Sequence, residues 1–457
     1  MEMHIKMTQK MHQELKNHLH NGDGLEAVAF VLCGKSDQSG INYLLAHETC
    51  LLPYDNCVRT QDRVNWKTID VEGVLEKALS KNLSIIKIHS HFIQDSNFSS
   101  FDDISDRDFF ESVFGWLDSD TPQASVIMYP DGSLKGRIIS SDLDFSSVKR
   151  FTIVGNDIKF YWETQNSKTP LAFERNSQTF GNHTTRILRD MKIGIIGVSG
   201  TGSPIAEMLM RLGAGTIVLA DPDTVGQENL NRIISSRKTD AVDEKLKVDV
   251  LQRHITEVNI GTHVITYPCV FQESEKALEE LSTCDVIFGC VDSIEGRHYL
   301  NLISTAYLVP VIDVGVKLVA DGKGNVDSII GNIHYLTPGY QTLEERGVYS
   351  WDMLSAEVMK RIARDEYENR RVYFENIEVS SPAVISVNSV YSSLAVNEML
   401  GRIHMFRYND NSRYRHTVVN LTDWDLSSYP ICATKDDWHL SNIGLGNSQN
   451  KTNEAII

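Results

Sequence analysis

At 457 residues the chain exceeds what one hydrophobic core covers, so two or three domains are expected. Hydrophobic residues at 41% and charged residues at 23% exclude a wholly disordered chain. A formal net charge of -17, with no basic stripe, excludes a nucleic-acid binder that works by neutralising phosphates. The seven cysteines, Cys33, Cys50, Cys57, Cys269, Cys284, Cys290 and Cys432, form no C-x-x-C pair. That pattern points to mostly buried thiols in a reducing compartment and offers no structural zinc ribbon. The opening MEMHIKMTQKMHQELKNHLH has no continuous apolar stretch, and no later segment approaches membrane-spanning length, so a cytoplasmic protein without membrane contact is expected.

In chain order, a short strand is expected at residues 5–8, then a polar helix, then AVAFVLCG (27–34), an apolar run short enough to be a buried strand. SIIKIHSHF, from Ser84, and ASVIMYP (124–130) are the next strand-like stretches, the latter ended by the turn Pro130-Asp131-Gly132. Together they predict a compact α/β domain over residues 1–150. The polar stretch 163–185 has few periodic apolar positions, so residues 151–185 are read as a linker leading into a second domain. From Met191 a new periodicity starts: KIGIIG, TIVLAD, HVITYP, DVIFGCVD and PVIDVGV are strands, with SPIAEMLMRLG and EKLKVDVLQRHITEVN as helices between them. This alternation predicts a parallel, doubly wound sheet over residues 186–405. Residues 331–382 are charged and irregular, AVISVNSVYSSLAVNEML is a further helix, and 406–457 form a C-terminal extension whose polar end is disordered.

His89 and His91 sit on the second apolar run, and a spacing of two on a strand places both imidazoles on one face, pointing at one ion. A helix begun near Ser99 returns Asp102 to them, giving two histidines and one carboxylate with a fourth tetrahedral position for water. Zinc lowers that water's pKa and polarises a scissile carbonyl. Glu26, just ahead of the strand 27–34, is placed to take the water's proton, and burial raises its pKa usefully. Ser99 then donates to the developing oxyanion. The bland alternative is a pair of core or surface histidines beside a solvated helix start. HSHFIQDSNFSSFD resembles the JAB/JAMM metalloprotease pattern H-x-H, seven residues, S-x-x-D, and GLEAVAFVLCG resembles that family's upstream glutamate segment. The resemblance implies Zn2+ held by His89, His91 and Asp102, Glu26 as general base and Ser99 as transition-state donor. As substrate it implies peptide or isopeptide bonds after the C-terminal glycine of ubiquitin-like proteins.

KIGIIG followed by GVSGTG (197–202) and a helix is the arrangement in which amides at a helix N-terminus receive phosphate oxygens, although Ser199 replaces the middle glycine of G-x-G-x-x-G. Asp221, about twenty residues on, is able to bind ribose hydroxyls, and to this point an NAD site fits equally well. The continuation DPDTVGQENLNR, Lys245 and CVDS separates the readings, because it supplies Asn229, Arg232 and Lys245 to neutralise a triphosphate and Asp292 as a magnesium-side carboxylate. Adenylation uses such a set, since a carboxylate attacking the α-phosphorus builds negative charge. Residues 175–400 resemble the ThiF/MoeB branch of ubiquitin-activating enzymes, in which G-x-G-G-x-G, D-x-D, S-N-L-x-R, a lysine and C-x-D-[NS] recur in this order. The resemblance implies ATP and Mg2+, with the loop of Gly197, Gly200 and Gly202 at phosphate and Asp221 at the ribose. It places Asn229, Arg232 and Lys245 at the phosphates and Asp292 at the metal and reacting centre. It also implies a symmetric homodimer, with Arg175 in ERNSQTFG similar to an arginine supplied across the interface. Two departures stand out: TPGYQTL replaces the family's first zinc knuckle, and 331–382 holds no cysteine where thioester-forming relatives carry theirs. Transfer of the adenylate directly to an external thiol is therefore expected, or else through Cys432 in YPICATKDDW.

Joined in one chain, the two domains predict a bifunctional enzyme of a bacterial-type ubiquitin-like system that adenylates a C-terminal glycine and cleaves after it. Its partners would be a ubiquitin-like protein and a ubiquitin-conjugating-type protein. Sulfur-carrier activation competes within the same chemistry. A non-catalytic scaffold competes from another class, against which the intact Glu26, Lys245 and Asp292 count.

Overall fold

The computed structural model describes residues 2–38, 40–162, 169–362 and 383–446. The chain divides into two units, one of Met1–Asn166 with Ala306–Leu308 and Ser441–Ile457, the other of Ser167–Thr305 with Val309–Leu440. Among the described residues no helix is long and apolar enough to cross a membrane.

In the first unit, strand β1 (Glu2–Thr8) passes directly into helix α1 (Gln9–Leu19), whose N-terminus Thr8 caps by accepting the Met11 N–H at 3.2 Å. Then follow β2 (Val28–Gln38), β3 (Ile41–Leu51), the hairpin β4 (Cys57–Arg59) and β5 (Val64–Trp66), α2 (Glu72–Ser80), β6 (Ser84–Ser90) and α3 (Ser100–Leu117). The unit continues with β7 (Gln123–Met128), β8 (Leu134–Ile139), β9 (Phe145–Ser147), β10 (Arg150–Val154) and β11 (Ile158–Tyr161). All but β4 and β5 form one mixed sheet in the order β11-β10-β1-β3-β2-β6-β7-β8-β9. Alternation along β2 explains why it is apolar throughout: Ala29, Val31 and Cys33 pack with Leu15 and Leu19 of α1, whereas Val28, Phe30 and Leu32 pack with Leu75 of α2 and Phe110 of α3. In β6, Ile86 and Ile88 go to the α1 side, which leaves Ile85, Lys87 and His89 facing α3.

Two segments expected to lie outside this domain belong to it. β10 pairs in parallel with β1, from His4↔Arg150 to Thr8↔Val154, and β11 closes the edge antiparallel, so residues 150–161 are sheet rather than linker. The C-terminal stretch is also drawn in: Leu445 is buried against the α2 and α3 side, Gly446 bridges Lys35, and His47 Nδ1 lies 2.7 Å from the Ile443 carbonyl oxygen. A Cβ on Gly34 would stand 2.3 Å from the carbonyl oxygens of Gly444 and Leu445, so glycine is required there for the backbones to approach. The disordered end expected for the chain lies outside the described residues from 447 onward.

The second unit opens with α4 (Glu174–Asp190), so most of the polar stretch expected as linker is helical, kinked at Gly181 (φ 79°). It buries Thr184, Thr185, Ile187 and Leu188, a stripe too rich in threonine to register as apolar periodicity. Then follow β12 (Lys192–Ile196), α5 (Gly202–Leu212), β13 (Thr216–Ala220), α6 (Lys238–Val242), α7 (Lys247–Val258), β14 (His263–Tyr267), α8 (Glu275–Ser282), β15 (Val286–Gly289), α9 (Ile294–Tyr307) and β16 (Val311–Ala320). The rest comprises β17 (Val326–Leu336), α10 (Trp351–Ile362), α11 (Ile385–Ile403), β18 (His416–Asn420), β19 (Asp425–Tyr429) and α12 (Asp437–Ser441). The sheet order is β14-β13-β12-β15-β16-β17-β18-β19.

Pairing is parallel from β14 to β16 and antiparallel from β16 to β19, so the sheet is mixed where a parallel one was expected. The reason is the short turn after β16, held by Asp321 accepting the N–H groups of Lys323 and Asn325; it leaves no room for the crossover that a parallel neighbour needs. The segment 331–382, expected to be irregular, begins inside β17 and includes α10; its part from 363 to 382 lies outside the described residues. Residues 416–429, expected in an extension, supply the last two strands of this sheet.

α9 carries a buried titratable group with a consequence for stability. His298 is 5% exposed, with Nδ1 3.1 Å from the Tyr349 hydroxyl, and burial, followed by the charge of His439, pushes its pKa down to about 4. An unfolded chain would protonate this imidazole near its ordinary value, so between pH 6.5 and 4 the unfolded state binds the extra proton. Stability should therefore fall as pH drops through that window, by about 3 kcal/mol at most, and level off below it. Comparing denaturant midpoints of wild type and His298→Phe from pH 7.5 to 4 checks this: the variant should lose part of the acid dependence, and an unchanged slope would refute it.

Candidate functional site

The first unit brings three of the expected groups together at the end of β6. His89 is the strand's penultimate residue, whereas His91 lies just beyond it, its N–H donating to the Met128 carbonyl oxygen at 3.1 Å. The two Nε2 atoms are 3.2 Å apart, and the Asp102 carboxylate approaches them at 3.1 Å (His89) and 3.6 Å (His91). The three ligand atoms lie within 4.8 Å of one another. Asp102 arrives there because Ser99 starts α3 with a capping box: Ser99 N and Oγ both donate to Asp102 Oδ2, at 2.6 and 2.7 Å, and Asp102 N donates back to Ser99 Oγ at 3.2 Å. The Ser99 hydroxyl, expected to face a developing oxyanion, is thus committed to orienting Asp102.

Burial lowers the His89 pKa. For Asp102 burial acts in the opposite sense, but hydrogen bonds to His89 and His91 prevail and hold the carboxyl well below the usual range. A neutral imidazole and an ionised carboxylate are the forms that bind a cation, so the donor set fits a metal ion. Glu26 is buried beside the same cleft, and burial, helped by the charge of Asp102, pushes its pKa up to about 8. The cleft, of about 390 Å³, is walled by Trp66, Phe101, Phe109 and Lys87.

In the second unit the strand order reverses about β12, with β13 and β14 on one side and β15 on the other. A ligand crevice is expected outside the carboxyl ends of the strands at such a point. A cleft of about 850 Å³ lies there, lined by residues following β12, β13, β14 and β15. The expected residues fall unequally around it. Gly197 (φ 85°) turns the chain out of β12 and lines the cleft with Ser199, whereas Gly200 and Gly202 do not line it. A Cβ on Gly202 would stand 1.9 Å from the Gly197 carbonyl oxygen, so this glycine serves close packing of the turn against α5. Asp221, directly after β13, accepts the Val198 N–H at 2.8 Å and the Asp223 N–H at 2.9 Å, and burial raises its pKa. Asn229, Arg232 and Asp292 all line the cleft; Asn229 Oδ1 accepts the Gly226 N–H at 2.9 Å, and Arg232 Nη1 donates to the Glu228 carbonyl at 2.5 Å.

Lys245 does not line the cleft: it is an exposed loop residue, its carbonyl accepting the Val225 N–H at 2.8 Å. Lys247 lines it instead: the first residue of α7, 6% exposed, it has Nζ 2.6 Å from Asp223 Oδ2 and 3.7 Å from Asp221 Oδ1. Two lysines two positions apart in EKLKVDV face opposite environments, and the start of the apolar period at Val248 is the signal that favours the second. Sequence reasoning also missed α10, which lends Glu357, Lys360 and Arg361 to the cleft wall; Arg361 pairs with Glu295 at 2.7 Å and Glu273 at 3.1 Å. Of the thiols expected to be mostly buried, Cys284 is buried, while Cys269 and Cys290 line the cleft. Cys432 is exposed, and so is Arg175 on the first turn of α4.

A Rossmann-like α/β unit with a cleft at its switch point, carrying lysine, arginine, asparagine and aspartate, defines a class of nucleotide-binding domain. The chain belongs to the ThiF family, whose sequence profile matches residues 173–437. Over 187 residues it is 29% identical to the adenylyltransferase and sulfurtransferase UBA4 of Meyerozyma guilliermondii, covering 39% of this chain and 42% of that protein. Over 165 residues it is 29% identical to the ubiquitin-like modifier-activating enzyme 5 of Arabidopsis thaliana, covering 33% and 36%. The chain thus spans about two fifths of the length of the curated relatives it matches. Among solved structures, E. coli MccB with ATP aligns at 16% identity and a TM-score of 0.44, over 58% of this chain and 73% of that one.

Proposed function

We propose that the chain is a two-site enzyme acting on a ubiquitin-like protein in the cytoplasm, with an adenylating cleft in its second unit and a zinc hydrolase site in its first. The observation that carries the adenylating half is the meeting of Asn229, Arg232, Lys247 and Asp292 in one cleft at the switch point of a ThiF-family fold. ATP with Mg2+ supplies the phosphorus that the substrate's terminal carboxylate attacks, giving an acyl adenylate and pyrophosphate. Arg232, Asn229 and Lys247 meet the phosphates, the backbone around Gly197 approaches them, Asp221 binds the ribose, and Asp292 would hold the Mg2+ that supplies charge neutralisation at the reacting centre. Arg175 is offered across a homodimer interface. The thiolate of an external protein, such as a ubiquitin-conjugating-type partner, or of the exposed Cys432 then attacks the acyl carbon of the adenylate, forming a thioester and releasing AMP.

In the hydrolase half, His89, His91 and Asp102 would hold zinc, which would supply polarisation of a carbonyl and a more acidic water. Glu26 takes the water's proton, and Ser99 keeps Asp102 oriented. This is the JAB/JAMM reading of residues 1–150, with cleavage after the same glycine that the other unit activates. Activation of a sulfur carrier is the second reading, favoured by the sulfurtransferase named in one relative.

The test is ATP–pyrophosphate exchange with candidate small proteins encoded nearby. A protein ending in Gly-Gly should stimulate exchange, and the same protein without its last two residues should not. Failure of every Gly-terminated candidate would overturn the proposed substrate class.

A further inference from the structure

The face of α3 that meets β6 carries a buried charge cluster that neither proposed reaction uses. Alternation puts Lys87 on the same face of β6 as His89, and one helical turn puts Asp106 on the same side of α3 as Asp102. Asp106 is fully buried and Lys87 is 3% exposed, with Lys87 Nζ 2.5 Å from Asp106 Oδ1 and 3.1 Å from Ser105 Oγ. Arg137 of β8 closes from the other side, its Nε 2.9 Å and Nη2 2.7 Å from Asp106 Oδ2, and it reaches Asp103 as well. Its guanidinium lies over the rings of Phe98 at 4.0 Å and Phe145 at 3.9 Å, and the Phe98 ring is in turn 6.1 Å from the ring of His89.

Such a cluster is a poor way to gain stability, since well-packed apolar side chains of similar volume do as well or better. Phe110 and Val113 already seat the helix on the apolar side of β2 and β6. Apolar contact is non-directional and leaves sliding and rotation of the helix start loosely defined, whereas charge-assisted forks fix both. A metal-ligand set tolerates deviations of only about 0.2 Å in its distances.

We propose that Lys87, Asp106 and Arg137 are positioning residues, a clamp that fixes the first turns of α3 against β6 and β8 so that Asp102 meets His89 and His91 in ligand geometry. The proposal rests on the zinc reading of that site. Lys87 connects the two ligand-bearing elements directly, because it stands two residues before His89 and bonds one turn beyond Asp102.

The experiment is zinc affinity by chelator competition on the full chain, for wild type, Lys87→Met, Asp106→Asn and the exposed-lysine control Lys77→Met. It is run at a temperature where circular dichroism shows each protein folded. Loss of a group that orients metal ligands lowers metal affinity by about 10- to 100-fold, and that loss is expected for both clamp variants and not for the control. A purely structural role would lower the unfolding midpoint and leave affinity at its wild-type value, which would overturn the proposal. If Asp106→Asn fails to fold, Lys87→Met decides, because Asp106 keeps its fork to Arg137 there. Wild type that binds no zinc would instead overturn the metal reading, and the clamp with it.

Discussion

Lys247→Ala is expected to lower ATP–pyrophosphate exchange by about 10²- to 10³-fold, the loss that follows removal of one preorganised charge from an active site. Lys245→Ala should leave exchange unchanged. Lys247 is the buried member of the pair and sits between the carboxylates of Asp221 and Asp223 at the cleft wall. Truncation removes a cation that would meet the triphosphate and also leaves those carboxylates uncompensated, so the cleft becomes repulsive to the nucleotide as well as less able to stabilise the reaction. Both KM for ATP and kcat should therefore worsen. Circular dichroism guards against trivial unfolding, since the Asp221 carboxylate keeps its two backbone donors in the variant. Equal losses in the two variants, or a loss confined to Lys245→Ala, would mean that the cleft is not where the nucleotide reacts.

Glu26→Gln should keep zinc and lose cleavage of a ubiquitin-like protein extended beyond its terminal glycine, by about 10²- to 10⁴-fold, the range for removing a general base. The substitution is nearly isosteric and stands outside the set of His89, His91 and Asp102, so metal content is expected to match wild type. His89→Ala, by contrast, should lose metal and cleavage together. Neither change touches the second unit, so exchange serves as the internal control. Cleavage at the wild-type rate by zinc-loaded Glu26→Gln would assign the proton transfer to another group.

What the sequence determined by itself was whatever short-range periodicity or spacing records. The step of two along β6 and the S-x-x-D start of α3 place His89, His91 and Asp102 within one strand end and one helical turn, and these are the groups that meet. The alternation of strands and helices from β12 to β16 specifies a doubly wound half-sheet and hence a crevice at its switch point. Both signals depend only on residues that are close in the chain.

The tertiary structure alone decided what rests on contacts between distant segments. Strands β10 and β11 are too short to carry a clear period, and they become sheet because β10 pairs with β1 and β11 with β10. Leu445 joins a core formed hundreds of residues earlier, in a stretch with no period of its own. The choice of Lys247 over Lys245 follows from where α7 begins, a boundary that two lysines only two positions apart blur. The charge cluster of Lys87, Asp106 and Arg137 combines one residue from each of three elements, so no spacing in the sequence announces it. Periodicity reports which face of an element is buried, but only the packed structure determines which other face it meets.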